Sequence, residues 1–205
     1  MEPDGFTLVE LLVVMAISAV LLTLCFSVAS GAMEKAQSTK CLSSLRQVGI
    51  AIQLYSADSG GRLPDTGHSR AADGRSLSWT NTLSAYLATN FIGRCPANHK
   101  STMPVTYAWN DQLVEPSGAG IPIVLCRAPS TTLAVAETSD AYISEHFHFA
   151  SARSRVTLNQ FKAAVGVDRH GSSANYLFVD GHTERLTQND VRTRLNVQNG
   201  TFLQP

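Results

Sequence analysis

Between positions 168 and 182 the chain carries two carboxylates and two imidazoles: Asp168, His170, Asp180 and His182. Histidine nitrogen and carboxylate oxygen are ordinary metal ligands, so these four form one candidate site for a bound ion. The same residues also have a plain structural use. Asp180-Gly181 separates two β-capable runs, 176–179 and 182–186, and reads as a two-residue hairpin turn whose central positions both need positive φ. That register pairs Val179 with His182 and Phe178 with Thr183, and leaves His170 to pin the preceding loop against the hairpin.

His146 and His148 are spaced i, i+2 beside Glu145, which on a strand puts both imidazoles on one face. Two such rings can bind a transition metal, but no third ligand is identifiable, and an exposed polar loop accounts for the segment more simply. Four cysteines stand at positions 25, 41, 95 and 126. Cys25 lies in an apolar run and reads as a small hydrophobe. In an oxidising compartment Cys95 and Cys126 are the expected disulfide, with Cys41–Cys95 as the alternative. Trp79, Tyr86, Tyr107, Trp109 and Phe178 read as core. There is no G-x-S-x-G elbow, no P-loop, no H-E-x-x-H and no G-x-G-x-x-G opening a helix, so no enzyme is expected. Sixteen basic residues balance 16 acidic ones, which gives no basic face for nucleic acid.

The elements that position these residues begin at the N-terminus. Residues 11–33 are 23 uncharged positions in a row. As a helix they span about 34 Å, enough to cross a hydrocarbon core of about 30 Å. The apolar periodicity continues through Cys41, Leu45, Val48, Ile52 and Tyr55, spaced by 4, 3, 4 and 3, the seam of an amphipathic helix. One helix is therefore expected from Phe6 to Ala57, ended by Ser59-Gly60-Gly61. Ser78 is placed to cap a short helix carrying Trp79, Leu83, Tyr86 and Leu87 on one face. Strands are expected at 105–109, 133–136 and 175–179, a short helix at 190–195, and a polar tail beyond it. This is an α+β chain in which a small antiparallel sheet packs on the amphipathic half of a long helix.

Gly5-Phe6-Thr7-Leu8-Val9-Glu10, running into that apolar stretch, resembles the processing signal of type IV pilins and type II secretion pseudopilins. The resemblance implies cleavage after Gly5 by a prepilin peptidase and N-methylation of Phe6. It also implies that Glu10 meets the methylated N-terminus of a neighbouring subunit during assembly. A carboxylate at the edge of hydrocarbon needs such a partner, or else reaches back to the headgroups. The leader Met1–Gly5 holds two acids and no Lys or Arg, so charge asymmetry gives no orientation.

The head adds a second resemblance. His170, nine residues, then Asp180-Gly181 is similar to the prepilin-type H-x9-DG proteins, often described as G-type pseudopilin-like. Further stretches that fit are Cys41–Gly49, Tyr55, Gly61-Arg62-Leu63-Pro64, Cys95-Pro96, Arg169-His170-Gly171 and Asn175–His182. The implied layout is a leader at 1–5, a membrane and assembly helix at 6–33, its amphipathic continuation at 34–58 and a globular α+β head at 59–205. The implied function is a structural subunit of a pilus-like or pseudopilus fibre, held in the inner membrane before assembly, with its head exported and other pilin-like subunits as partners. The alternative is a membrane-anchored ligand- or metal-binding module. The relation to G-type pseudopilins puts calcium ahead of zinc as its ion, although no Asp-rich calcium loop is present.

Overall fold

The computed structural model describes residues 7–67, 78–87, 91, 93–149, 156–197 and 200–205. The leader 1–5 and Phe6, with their cleavage and methylation positions, lie outside the described residues. The chain forms two compact units, Met1–Ala36 and Gln37–Pro205.

Helix α1, Leu8–Asp58, enters both units. In the first unit its large apolar side chains, Leu8 through Leu24 and Phe26 among them, are exposed. An 18-residue window of this helix has mean hydropathy 2.7 and is long and apolar enough to cross a membrane. In the second unit the periodicity takes effect. Cys41, Leu45, Val48, Ala51 and Ile52 are buried, while Lys40, Arg46 and Gln53 are exposed. The helix stops where expected: Gly60 and Gly61 adopt φ of 63° and 79°, and Gly61 N–H donates to the Ser56 carbonyl at 2.8 Å. Glycine reaches that left-handed geometry without steric penalty, which satisfies the last carbonyls of the helix.

The remaining elements are α2 (Trp79–Thr82), β1 (Tyr107–Asn110), β2 (Leu133–Glu137), β3 (His146–Phe147), α3 (Leu158–Ala164), β4 (Ser173–Phe178), β5 (Thr183–Thr187) and α4 (Gln188–Asn196). The five strands form one sheet in the order β3-β1-β2-β4-β5. It is mixed, because β3 runs parallel to β1 while the other pairs are antiparallel. Tyr107, Trp109, Val135, Leu177 and Val179 pack with α1, Trp79 and Leu83 on one face. Ala108, Ala136, Tyr176 and Phe178 pack on the other face with Phe161 of α3 and Val191 and Leu195 of α4. Covered on both faces, β1, β2 and β4 are buried at every position, so their sequences lack the polar alternation of a half-exposed strand.

Three local expectations are corrected, and one helix is added. Ser78 does not cap α2; its hydroxyl donates to Glu145 instead, and the helix is a single turn. The Asp180-Gly181 hairpin has a three-residue loop. Phe178 N–H donates to the His182 carbonyl and Gly181 N–H returns to the Phe178 carbonyl, so Leu177, not Phe178, pairs with Thr183. Only Gly181, at φ 89°, needs the left-handed region, the arrangement of a type I turn followed by a glycine bulge. The C-terminal tail is docked rather than free: Phe202 and Leu203 are buried, and the Phe202 carbonyl accepts from Leu133 N–H at 2.8 Å. Finally, α3 was not anticipated. Its N-terminus is a reciprocal capping box between Thr157 and Gln160, a pattern present in the sequence.

Candidate functional site

Strand β4 brings the two halves of the His170 and Asp180-Gly181 motif against opposite ends of one stretch of α1. At the near end, Asn175 Nδ2 donates to the Ser38 carbonyl at 3.2 Å. At the far end, Gln53 Nε2 donates to the Val179 carbonyl at 3.4 Å, and Gly181 lies against Gly49. From Ser38 to Gly49 the helix rises about 16 Å, and six residues of strand cover about 20 Å less the curl of the turn. Between Asn175 and Gly181, β4 and its turn therefore run alongside α1 from Ser38 to Gly49.

His170 belongs to the near end and is buried. Its backbone is held on both sides, N–H to the Ser173 carbonyl at 2.8 Å and carbonyl accepting from Arg185 at 2.7 Å. Its Nε2 lies 2.9 Å from Oε1 of Glu137, the last residue of β2, and both side chains are fully inaccessible. The other Glu137 oxygen accepts Asn175 N–H at 3.1 Å. Nδ1 of His170 is buried without a hydrogen-bond partner. An ionised carboxylate in such surroundings is costly unless bonded, and here both oxygens are. Tyr107 and Tyr176 flank the pair, and their hydroxyls are held far above the usual range, first by burial and then by the nearby Glu137 charge. Both phenols therefore stay neutral.

The third member is sulfur. Cys41 of α1 and Cys95 form a disulfide with Cα atoms 5.2 Å apart. This corrects the expected Cys95–Cys126 pair: docking of α1 on the sheet brings Cys41 to Cys95, and Cys126 remains a buried free thiol bonded to Thr132. Cys95 Sγ lies 3.7 Å from His170 Nε2. The ligand-type atoms of Cys41, Cys95, Glu137 and His170 all lie within 4.8 Å of one another.

The four ligands proposed from sequence do not converge. Asp180 and His182 sit at the far end of β4, exposed, with His182 Nδ1 2.6 Å from Asp180 Oδ1 and its ring stacked on Phe178 at 4.5 Å between centroids. Asp168 lines a separate polar cavity of about 270 Å³ with Asp140, Lys162 and Arg169. His170 bonds Glu137 instead, so these four residues form no common ion site. The pair His146 and His148 does meet, ring centroids 4.5 Å apart, with His148 Nδ1 3.6 Å from Asp111 Oδ2. His146 is buried on β3 rather than exposed in a loop. The disulfide is the alternative pairing, Cys41–Cys95, and Glu137 was missed. The available signal was a lone acid closing the otherwise apolar run Leu133–Glu137.

In the first unit, Glu10 is engaged within its own helix. Its Oε2 accepts from Thr7 N–H at 2.9 Å and from the Thr7 hydroxyl at 2.8 Å, while Glu10 N–H donates to Thr7 Oγ1 at 3.2 Å. This is a reciprocal cap of the helix start.

Residues 4–26 match the family model of the prokaryotic N-terminal methylation motif. No curated protein and no solved structure matches the chain. The match, with the apolar helix it overlaps, supports a prepilin-type, pilin-like subunit anchored in a membrane, and implies processing by prepilin peptidase and assembly with other pilin subunits.

Proposed function

We propose that this protein is a structural, non-catalytic subunit of a type II secretion pseudopilus or type IV pilus-like fibre. It is cut after Gly5, methylated at Phe6, held in the inner membrane until assembly, and carries its head on the exported side. The observation that supports this reading best is the methylation motif at 4–26 leading into a helix whose apolar side chains are exposed in the first unit. Such a surface is stable in lipid or packed against the same helix of neighbouring subunits, and a fibre exchanges one for the other.

Glu10 supplies the test, because its cap on Thr7 and its charge can be separated. Glu10→Gln keeps an acceptor for Thr7 and removes the negative charge; Thr7→Ala removes the cap and keeps the charge. If Glu10 pairs with a neighbour's amino terminus, Glu10→Gln loses fibres while remaining membrane-inserted and processed, and Thr7→Ala still assembles. Normal fibres from Glu10→Gln contradict the assembly role.

A further inference from the structure

The geometry points to a second occupant of the cluster behind β4: in the reduced chain, Cys41, Cys95, His170 and Glu137 hold one zinc ion. The inference stands independently of fibre assembly, because it concerns only the second unit.

A disulfide explains the cysteines and nothing else at this place. Its sulfurs are neutral, yet a carboxylate and an imidazole, both fully inaccessible, face it from β2 and from the turn before β4. Among the described residues no arginine or lysine bonds Glu137; its partners there are the imidazole and one backbone N–H. The neutral disulfide adds no attraction for that carboxylate, whereas a divalent cation in its place adds a large one. Two sulfurs, one imidazole nitrogen and one carboxylate oxygen are a donor set for zinc, which takes Cys, His and Asp or Glu in four-coordinate sites. Calcium, which needs six or more oxygens, does not fit.

One distance already fits such an ion and one must open. Zinc–sulfur bonds of about 2.3 Å and zinc–nitrogen or zinc–oxygen bonds of about 2.0–2.2 Å set the edges of a tetrahedron near 3.4 to 3.8 Å. Cys95 Sγ to His170 Nε2 is already 3.7 Å, and Nε2 to Glu137 Oε1 is 2.9 Å. Opening the disulfide lets the sulfurs part to the same spacing, and the Glu137 and His170 atoms that now bond each other turn onto the ion.

The exchange balances as follows. A thiol-class reductant gives two electrons and two protons to the Cys41–Cys95 bond, becoming a disulfide itself, and leaves two thiols. Zinc then displaces both thiol protons, while His170 presents Nε2 as a lone pair with its proton on Nδ1. A disulfide-class oxidant reverses it: the two thiolates pass two electrons to its S–S bond, which leaves as two thiols after taking up two protons, while the Cys41–Cys95 bond forms and zinc is released. Because α1, the Cys95 segment, β2 and the turn before β4 each supply one ligand, either state ties the same four pieces together. A chain that has not yet been oxidised is therefore held in the fold by zinc.

The test uses the full chain in detergent with Cys25→Ser and Cys126→Ser, so that only Cys41 and Cys95 can bind. A phosphine, which adds no thiol ligand, gives the reduced form, and cobalt(II) and zinc are titrated into the reduced and oxidised forms. The expected result is one cobalt per reduced chain, with thiolate charge-transfer absorption and the intense visible bands of a tetrahedral site, displaced by zinc. The oxidised chain takes none. His170→Asn and Glu137→Gln weaken retention by more than the ~10–100-fold typical of losing a residue that only supports a ligand. Should these variants fold poorly, alkylation of the reduced parent decides: zinc protects Cys41 and Cys95, and protection disappears on chelation. A reduced chain that takes no cobalt, or thiols that zinc leaves equally reactive, overturns the assignment.

Discussion

Gly49 of α1 and Gly181 of the hairpin meet so closely that a Cβ on Gly49 would stand 2.9 Å from the Gly181 carbonyl oxygen and 3.0 Å from Leu177 Cδ1. The Asp-Gly turn is thus also a docking point for the helix. Any side chain at 49 must push the hairpin away, and backbone yields less readily than a side-chain tip. Gly49→Val is expected to cost about 1–3 kcal/mol, the usual range for overpacking, read as a lower urea midpoint with unchanged slope. Gly31 lies on the same helix with nothing within 4 Å of its Cβ position, so Gly31→Ala is the tolerated control.

The Glu137–His170 pair should behave as a unit. Replacing either alone by Gln or Asn disturbs a fully buried hydrogen bond, at a cost of about 1–3 kcal/mol. The double variant Glu137→Gln, His170→Asn is expected to cost clearly less than the sum of the singles, because two amides can bond each other. Additive losses in a double-mutant cycle would show that the two residues act separately.

At the start of α4 the Thr187 hydroxyl and backbone N–H both bond Asp190 and hold its carboxyl below the usual aspartate range. A lowered folded-state pKa favours the folded form above the ordinary aspartate value near 3.8, and that contribution is lost as pH falls through the folded value. Amide exchange in α4 should therefore accelerate on acidification through this window, relative to α3, whose cap Gln160 does not titrate. Asp190→Asn should remove the pH step. An unchanged step in that variant would place its origin elsewhere.

The helix and its end were legible in the sequence because an apolar run, a 4-3-4-3 seam and Gly60-Gly61 all carry local signals. Strands β1, β2 and β4 were legible as β-prone runs between turn residues. The hairpin was placed correctly and its register was not: Asp-Gly serves both a two-residue turn and a type I turn with a glycine bulge, and only the packing of Gly181 on Gly49 selects between them. The Cys41–Cys95 bond and the role of Glu137 depend on α1 lying across the sheet, a relation between residues far apart in sequence. β3 spans two residues and pairs parallel to β1 through a long excursion, so it left no periodicity to read. The partners of His170 were not legible, since Asp180 and His182 are close along the chain but at the opposite end of an extended strand.

The central claim, that this is a processed pilin-like subunit, is tested most directly by the intact mass and N-terminal sequence of the protein recovered from membranes of cells containing prepilin peptidase. The account predicts a chain beginning at Phe6, heavier by one methyl group on its amino nitrogen, and an unprocessed chain from Gly5→Asp. A parent protein that still begins at Met1, with the peptidase active on another substrate in the same cells, would contradict it.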